Sequence, residues 1–430
     1  MDDFTYHHGE LHCGSVPMSS IAERFGTPTY VYSAATLLDH HRKLARAFAA
    51  LNPLICYSVK SSGNVNLCRL LAQEGAGMDV VSGGELHRAM AAGCAAERCV
   101  YAGVGKTDAE IEFAILQGVG VLNIESEAEF EVVAGIAARL QRTCVAALRV
   151  NPDVDPKTHR YTSTGRKETK FGVDIERARA FFAAYGHDRW CRLTGIHLHI
   201  GSPVYSVQPY IDAITKTLAL MDELKAAGHT VDTLDLGGGF GADYETGQSP
   251  DASVYAAAIV PLLEERVRQG LRVILEPGRT IVANAGVLIT RVLYMKQSGD
   301  KTFAICDAGM NTLLRPCHYD AFHFIWPVAP DAGFVPQRRA RSMQLDGLAL
   351  MDVVGPICES GDFLAIDRPL PTLRRGDLVA VFTAGAYGMS MASRYNSVPL
   401  PAEVLVEGHE VRSIRRRETW DDLIAHECPA

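Results

Sequence analysis

The chain has 430 residues, too many for one ordinary hydrophobic core, so we expect two domains. A hydrophobic fraction of 47% with 21% charged residues is typical of a globular protein in water. The net charge of −8 argues against nucleic acid or an anionic membrane as a partner. The first ten residues, MDDFTYHHGE, are acidic and polar, which is not the pattern of a secretory signal.

The cysteines indicate the redox environment and argue against a metal centre. Eleven of them are scattered along the chain without a CxxC pair, which excludes the usual zinc-site spacings, so we expect no metal. Thiols of this kind favour a reducing cytoplasm as the location. Those in apolar surroundings, and therefore predicted to be buried, are Cys56, Cys68, Cys144 and Cys306.

Taken in chain order, the first 32 residues contain a helix-like stretch, Ser19–Phe25, and a β-like stretch, Thr29–Tyr32. From about residue 50 to 280, short apolar runs alternate with helical segments. Eight such runs predict a (β/α)₈, TIM-like barrel, which we assign to residues 33–280. A doubly wound sheet is the alternative, but no GxGxxG follows the first strand. The predicted strands are Leu54–Val59, Met78–Ser82, Cys99–Gly103, Val119–Ile124, Cys144–Val150, Gly195–Ile200, Thr233–Leu236 and Arg272–Glu276.

After Arg279 the pattern changes to strands separated by Gly, Pro and Asp turns, with few helical segments. This sequence pattern is typical of a mostly antiparallel β domain. The clearest strand candidates are Val287–Met295, Thr302–Asp307, Leu378–Thr383 and Ala402–Val406.

The first barrel strand ends in a lysine, Lys60, within the stretch LICYSVKSSGN (54–64). An ammonium at the end of a strand buried on both faces is unfavourable unless chemistry uses it. The functional interpretation is a Schiff-base lysine that condenses with a carbonyl cofactor. The alternative is a lysine that has left the strand and points to solvent, and this segment alone favours that alternative.

Three further clusters, HLHIGS, DLGGGFG and EPGR, end the sixth, seventh and eighth predicted strands. Each has an ordinary structural explanation by itself, but together with Lys60 they predict a site at one barrel mouth. Consecutive glycines let backbone N–H groups approach a phosphate. A carboxylate such as Glu276 keeps a pyridine nitrogen protonated, and the ring then favours decarboxylation.

The second domain adds three stretches with possible chemical roles. VVGPICESGDFLA contains Cys358 and Glu359, a pair suited to acid–base work, although an unexceptional cysteine is usually a buried small residue. NTLLRPCHY contains Arg315 and Tyr319, where the arginine either binds a carboxylate or forms a surface ion pair. GAYGMSMASRYN contains Tyr387.

In combination, these stretches resemble the fold type III pyridoxal-phosphate decarboxylases. The similarity begins at YVYSAATLLDH (31–41), continues through YSVKSSGN and MDVVSGGEL, and reaches AYGMSMASRYN, which covers nearly the whole chain. RVNPDVDPKTHRYTSTGRKETKFGV (149–173) and CESGD are most similar to the branch that acts on diaminopimelate. The resemblance implies a barrel plus a β domain built from residues 1–32 and 281–430.

The resemblance also implies roles for individual residues. Lys60 would attach pyridoxal 5′-phosphate, Glu276 would bind its pyridine nitrogen, and His199 would stack on its ring. Cys358 would be the acid that protonates the product, acting from the other subunit of a homodimer. The residues that would surround the phosphate are Ser202, Gly238, Gly239, Gly278, Arg279 and Tyr387. The residues that would bind the substrate are Arg279, Arg315, Tyr319, Glu359 and Tyr387.

The activity that the resemblance implies is decarboxylation of meso-2,6-diaminopimelate to L-lysine and CO₂, the last step of lysine biosynthesis. The alternative on the same scaffold is a decarboxylase of another basic or carrier-bound amino acid, such as D-ornithine or D-lysine. A racemase-like barrel is disfavoured because a racemase needs a weaker electron sink than Glu276 provides. A barrel that only carries the cofactor is disfavoured because such proteins lack a second domain.

Overall fold

The computed structural model describes residues 2–155 and 170–428. The chain divides into two units by the contacts among its residues. We call His40–Gly241 together with Ser249–Thr280 the barrel unit. We call Met1–Asp39, Ala242–Gln248 and Ile281–Ala430 the β unit.

Eight parallel strands close into a barrel within the described part of the barrel unit. Each strand pairs with the next one along the chain, and the eighth pairs with the first to complete the ring. The predicted barrel is therefore confirmed, and short apolar β-type runs are buried on both faces as such a fold requires. In chain order the strands are Leu54–Ser58, Gly77–Val80, Cys99–Tyr101, Val121–Ile124, Cys144–Asn151, Cys191–His197, Thr233–Asp235 and Arg272–Leu275.

The strand ends differ from the predicted ones, most of all in the sixth strand. It runs over Cys191–His197 rather than to Ile200, because the backbone leaves the sheet after His197. Gly201 then adopts a φ of 150°, which an L side chain rarely adopts. The first strand also ends early, at Ser58 instead of Val59. These early ends move the polar side chains from the strands into the loops at the barrel mouth.

Helices follow the strands because the sequence supplies caps at the right points. Ser82, Thr107 and Ser126 each accept a hydrogen bond from the backbone N–H of a glutamate three residues later. No helix in the described residues is long and apolar enough to span a bilayer. The helices are Met18–Phe25, Ala34–Ala47, Val65–Gln73, Gly83–Ala91, Asp108–Gln117, Glu127–Leu140, Ile175–Tyr185, Gln208–Ala226, Ala252–Arg268, Arg279–Val282, Arg315–Tyr319 and Trp420–Ile424.

Inside the barrel, small and β-branched side chains from several strands fill the centre, among them Cys56, Val100 and Ile274. All four thiols predicted to be buried (Cys56, Cys68, Cys144 and Cys306) are buried. The barrel is therefore a packed core, and chemistry is confined to its mouth.

The β unit contains a nine-stranded, mostly antiparallel sheet among its described residues, which confirms the predicted fold class. The N-terminal strand Thr29–Ser33 lies between Gly286–Ser298 and Ala402–Glu407. The N-terminal segment therefore completes the sheet of the C-terminal part. The remaining strands of the sheet are Lys301–Cys306, Ile325–Pro327, Ala349–Val354, Phe363–Leu370, Leu378–Val381 and Glu410–Arg415, and a small separate sheet comprises Phe4–His7, Glu10–Cys13 and Val16–Pro17.

Candidate active site

Lys60 lies in a short 3₁₀ turn directly after the first barrel strand. Its Nζ is 2.5 Å from Oδ2 of Asp79, a fully buried carboxylate on the second strand. The hydroxyl of Ser58 donates to the same oxygen at 2.6 Å. The side chain of Lys60 is 33% exposed, so its amine remains accessible while a buried partner holds it. The interpretation of Lys60 as a lysine that simply points to solvent is therefore wrong.

Asp79 is a site residue that the sequence reasoning missed. Burial and the negative charge of Glu276 raise the pKa of Asp79, although Lys60 beside it acts in the opposite direction. The available signal was its position, an acid between two buried apolar residues at the end of a barrel strand. Such an acid needs a partner, and the neighbouring strand ends in Ser58 and Lys60.

Glu276 follows the eighth strand and is buried. Its Oε1 accepts a hydrogen bond from Nδ2 of Asn123 at 3.2 Å, and its Oε2 lies 3.3 Å from Nε2 of His197. Burial alone would raise the pKa of Glu276, but the hydrogen bond from His197 and the charge of Lys60 hold it well below the usual range. Glu276 is therefore a buried carboxylate anion.

A second acid, Asp235, lies beside Glu276 and takes the opposite protonation state. Burial and the negative charge of Glu276 raise the pKa of Asp235 well above its usual range. Its Oδ1 accepts the backbone N–H of Gly237 at 2.9 Å. Atoms of His197, Asp235 and Glu276 suited to bind a metal lie within 4.8 Å of one another. By spacing the trio fits a metal ion, while the Glu276 anion also fits a protonated pyridine nitrogen.

His199 and the glycine loop after the seventh strand form one wall of the site. Nδ1 of His199 accepts the backbone N–H of Gly238 at 3.3 Å, which leaves the ring proton on Nε2. Burial, with help from the charges of Arg149 and Lys60, lowers the pKa of His199 well below its ordinary value, so the ring is neutral. A Cβ at Gly238 would lie 2.2 Å from the carbonyl oxygen of Glu276. Only glycine fits there.

The EPGR loop brings Arg279 to Ser202. Nε of Arg279 donates to the Ser202 hydroxyl at 3.2 Å, and the arginine is 6% exposed. Gly278 packs against the first strand, since a Cβ there would lie 2.9 Å from the Cβ of Ser58. The predicted residues that the structure brings together at one end of the barrel are Lys60, His199, Ser202, Gly238, Gly239, Glu276, Gly278 and Arg279.

The other predicted site residues belong to the β unit. Arg315 is buried, donates to the hydroxyl of Tyr244, and has its guanidinium carbon 4.9 Å from the centre of the Tyr244 ring. Its N–H group also lies 3.4 Å from Nε2 of His323. The alternative interpretation of Arg315 as a surface ion pair is therefore wrong. Tyr319 ends the same short helix and is half-buried.

The CESGD stretch forms a loop that its aspartate holds in shape. Asp362 is buried and accepts the backbone N–H groups of Met310 at 2.6 Å and Ile357 at 2.7 Å. Cys358 and Glu359 are exposed on this loop. The interpretation of Cys358 as a buried small residue is therefore wrong.

The two remaining motifs are the stretch that contains Tyr387 and the 149–173 segment. Tyr387 is half-buried and adopts a φ of 56°, in the left-handed region that is unusual for a tyrosine. In the 149–173 segment, residues 156–169 lie outside the described residues. Its first residue, Arg149, is buried on the fifth strand and pairs with Glu125 at 2.9 Å.

An amine, a buried carboxylate and an arginine–glycine wall at the carboxyl ends of barrel strands define a cofactor-dependent barrel enzyme. Residues 34–283 match the family model described as the pyridoxal binding domain of pyridoxal-dependent decarboxylases. The chain is 46% identical to diaminopimelate decarboxylase from Pseudomonas aeruginosa, over 99% of each chain. It is 44% identical to the Neisseria meningitidis serogroup B protein of the same name, over 97% of each.

A solved structure of diaminopimelate decarboxylase from Helicobacter pylori, complexed with L-lysine, matches with a TM-score of 0.88. That match has 38% identity and covers 95% of this chain and 99% of the other. The chain therefore belongs to the diaminopimelate decarboxylase family of the pyridoxal-dependent decarboxylases.

The cofactor of this family is pyridoxal phosphate, and the residues at the barrel mouth fit it. Lys60 offers an amine to an aldehyde, and Glu276 offers an anion to a pyridine nitrogen. The glycine loop packs closely on neighbouring backbone, since a Cβ at Gly238 or Gly239 would lie within 2.4 Å of a backbone oxygen. Glycines also let backbone N–H groups approach a phosphate. Arg279 adds a positive charge suited to a phosphate.

Proposed function

We propose that the chain catalyses the pyridoxal-phosphate-dependent decarboxylation of meso-2,6-diaminopimelate to L-lysine and CO₂, the last step of lysine biosynthesis. The observation that carries this proposal is similarity over nearly the full length to proteins of that name. The amine of Lys60 and the buried anion of Glu276 at one barrel mouth agree with it. The L-lysine in the Helicobacter pylori structure is the product that this reaction would release.

Bound pyridoxal phosphate supplies a ring that takes up the electron pair released when a carboxylate leaves as CO₂. Glu276 would strengthen this effect, because a buried anion favours a proton on the pyridine nitrogen. Lys60 would hold the cofactor through its amine, and Asp79 fixes the position of that amine. His199, neutral and tied to the glycine loop, would form a wall beside the cofactor ring.

We assign the phosphate and substrate contacts from the family pattern. Cys358 supplies the proton to the product, and it acts in the site of the other subunit of a homodimer in the cytoplasm. The exposure of Cys358 on a loop held by Asp362 supports this role, since such a thiol is accessible to another chain. The phosphate contacts are Ser202, Gly238, Gly239, Gly278, Arg279 and Tyr387. The substrate contacts are Arg279, Arg315, Tyr319, Glu359 and Tyr387.

The test of the substrate is CO₂ release from a panel of meso-diaminopimelate, L-ornithine, L-lysine, D-lysine and L-arginine. The proposal predicts release from meso-diaminopimelate far above that from the other four. Preferred turnover of D-lysine or L-ornithine would contradict it and favour a decarboxylase of another basic amino acid.

The test of the cofactor link is reduction with borohydride followed by peptide mapping. The protein should absorb visible light, and reduction should fix the cofactor on the peptide that contains Lys60. Lys60→Ala should lose both the fixed label and most turnover. A label on a different peptide would refute the assignment of Lys60.

A further inference from the structure

The carboxylate of Glu276 is enclosed by side chains from three other strands of the barrel. Asn123 is on the fourth strand, His197 ends the sixth and Asp235 ends the seventh. All three are at most 1% exposed. Asn123 donates to Oε1 of Glu276, and His197 lies 3.3 Å from Oε2, so each carboxylate oxygen has its own partner.

The hydrogen bonding of His197 determines which ring nitrogen carries the proton. Nδ1 is buried and makes no hydrogen bond within residues 2–155 and 170–428. A proton on Nδ1 would be an unsatisfied buried donor, whereas a proton on Nε2 faces the Glu276 carboxylate. His197 is therefore an N–H donor to Glu276 through Nε2.

Asn123 also directs a hydrogen-bond donor at Glu276. Its Nδ2 faces Oε1 of Glu276 at 3.2 Å and Oδ2 of Asp235 at 3.4 Å. Its Oδ1 is buried and has no hydrogen-bond partner among the described residues. Within the described part of the chain, His197 and Asn123 thus each leave a buried acceptor unsatisfied, while their donors face acids. That loss of stability is not expected of residues that only fill space, because apolar side chains of similar size would avoid it.

We propose that His197 and Asn123 are positioning residues that hold Glu276 ionised and aimed at the pyridine nitrogen of the cofactor, while Asp235 carries the proton. This inference rests on the proposed role of Glu276. Two carboxyl groups this close in a dry site cannot both be charged at low cost. His197 faces only Glu276 of the two acids, and Nδ2 of Asn123 lies nearer to Oε1 of Glu276 (3.2 Å) than to Oδ2 of Asp235 (3.4 Å). The charge of Lys60 acts in the same direction. The environment therefore decides which acid is the anion.

The test compares His197→Leu, which removes the donor, with His197→Gln, which keeps an amide N–H at a similar reach. Asn123→Asp is nearly isosteric and replaces the donor with a carboxyl group. Glu276→Gln is the reference for the loss of the anion. His41→Leu is the matched control, because it makes the same change at another buried histidine, on the helix Ala34–Ala47.

Three readouts separate positioning from a structural role. They are the melting temperature of the cofactor-free protein, the dissociation constant for pyridoxal phosphate, and the ¹⁵N chemical shift of the bound pyridine nitrogen. His197→Leu and Asn123→Asp should weaken cofactor binding by about 10- to 100-fold, as expected for one lost hydrogen bond to a charged group. The ¹⁵N shift should move toward that of an unprotonated pyridine. The dissociation constant of His197→Gln for pyridoxal phosphate should stay within about fivefold of wild type. His41→Leu should change neither this dissociation constant nor the ¹⁵N shift.

Other outcomes distinguish the positioning role of His197 and Asn123 from the role of Glu276 itself. If Glu276→Gln moves the ¹⁵N shift while His197→Leu and Asn123→Asp do not, the positioning role is wrong and the role of Glu276 stands. If Glu276→Gln leaves the shift unchanged, the role of Glu276 itself fails. Tight zinc binding by the cofactor-free protein that is lost in His197→Leu would instead make the trio a metal site and overturn the inference. If His197→Leu does not fold, Asn123→Asp decides the question alone.

Discussion

Gly238→Ala is the most direct test of the geometry at the barrel mouth. A Cβ at this position would lie 2.2 Å from the carbonyl oxygen of Glu276, whereas ordinary contacts begin at 3.4 Å. The two backbones must therefore separate by roughly 1 Å. Both atoms in the clash belong to rigid parts of the chain, so no side-chain rotation can relieve it.

Two effects follow from that displacement. Overpacking of this kind costs about 1–3 kcal/mol of unfolding free energy. Glu276 moves with its own carbonyl group, and the hydrogen bond from Gly238 to His199 is strained. Since a misplacement of about 1 Å can reduce a rate about 100-fold, CO₂ release should fall by about that factor. Affinity for pyridoxal phosphate should fall with it.

Gly135→Ala is the matched control. Gly135 lies inside the helix Glu127–Leu140, and no heavy atom lies within 4 Å of an added Cβ. The same substitution should therefore stabilise the protein by about 0.5–1 kcal/mol, through helix propensity. Urea denaturation and cofactor titration measure both variants. A Gly238→Ala protein with the stability and cofactor affinity of wild type would refute the close packing of Gly238 on the backbone of Glu276.

Three further predictions concern other parts of the molecule. Asp362→Asn replaces one of two charge-assisted acceptors with a donor, which weakens the hold on the loop that contains Cys358. The rate of amide hydrogen exchange in this loop should rise by a factor that corresponds to about 1.5–3 kcal/mol, and an unchanged rate would contradict this. Because the pKa of His199 is lowered on folding, only the unfolded chain binds that proton below about pH 6.5, and stability falls as the pH falls. His199→Gln should therefore reduce the acid sensitivity of the cofactor-free protein by at most about 1.4 kcal/mol per pH unit, measured as melting temperature between pH 5 and 7; equal slopes would refute this. Inactive Lys60→Ala and Cys358→Ala dimers should complement each other after subunit exchange, with roughly a quarter of the sites active. If tagging verifies the exchange and the activity stays at background, Cys358 acts within its own subunit or not at all.

The barrel could be predicted from sequence because each of its strands is a local signal. A short apolar run such as Leu54–Ser58 is recognisable by itself, and the alternation with helices fixes the architecture. Strand ends were less predictable, since the point at which the sixth strand stops depends on backbone turns beyond His197. Lys60 is a candidate because a charged residue at the end of a buried strand is an anomaly, but its functional interpretation also depends on the clusters that end the other strands.

The missed residues share a different property, which is that their partners are far away in sequence. Asn123 reads as one polar residue in an apolar strand, and its partner Glu276 is 153 positions later. Asp79 likewise has its partners, Ser58 and Lys60, at the end of the neighbouring strand. In CESGD, the cysteine and glutamate are the residues predicted to be functional. Asp362 instead stabilises the loop by accepting the backbone N–H groups of Met310 and Ile357, which no sequence motif indicates.

Asp235 and Glu276 illustrate most clearly what local sequence cannot determine. Each acid stands at the end of an apolar barrel strand and precedes a turn that contains glycine, so their sequence contexts are nearly alike. Burial raises the pKa of both, yet the final directions are opposite. The difference comes from the groups around them, since Glu276 faces His197 and the charge of Lys60 while Asp235 faces the N–H of Gly237 and the anion itself. The choice of the ionised acid is therefore a property of the assembled barrel mouth, which is why substitutions at its neighbours test it better than substitution of the acids alone.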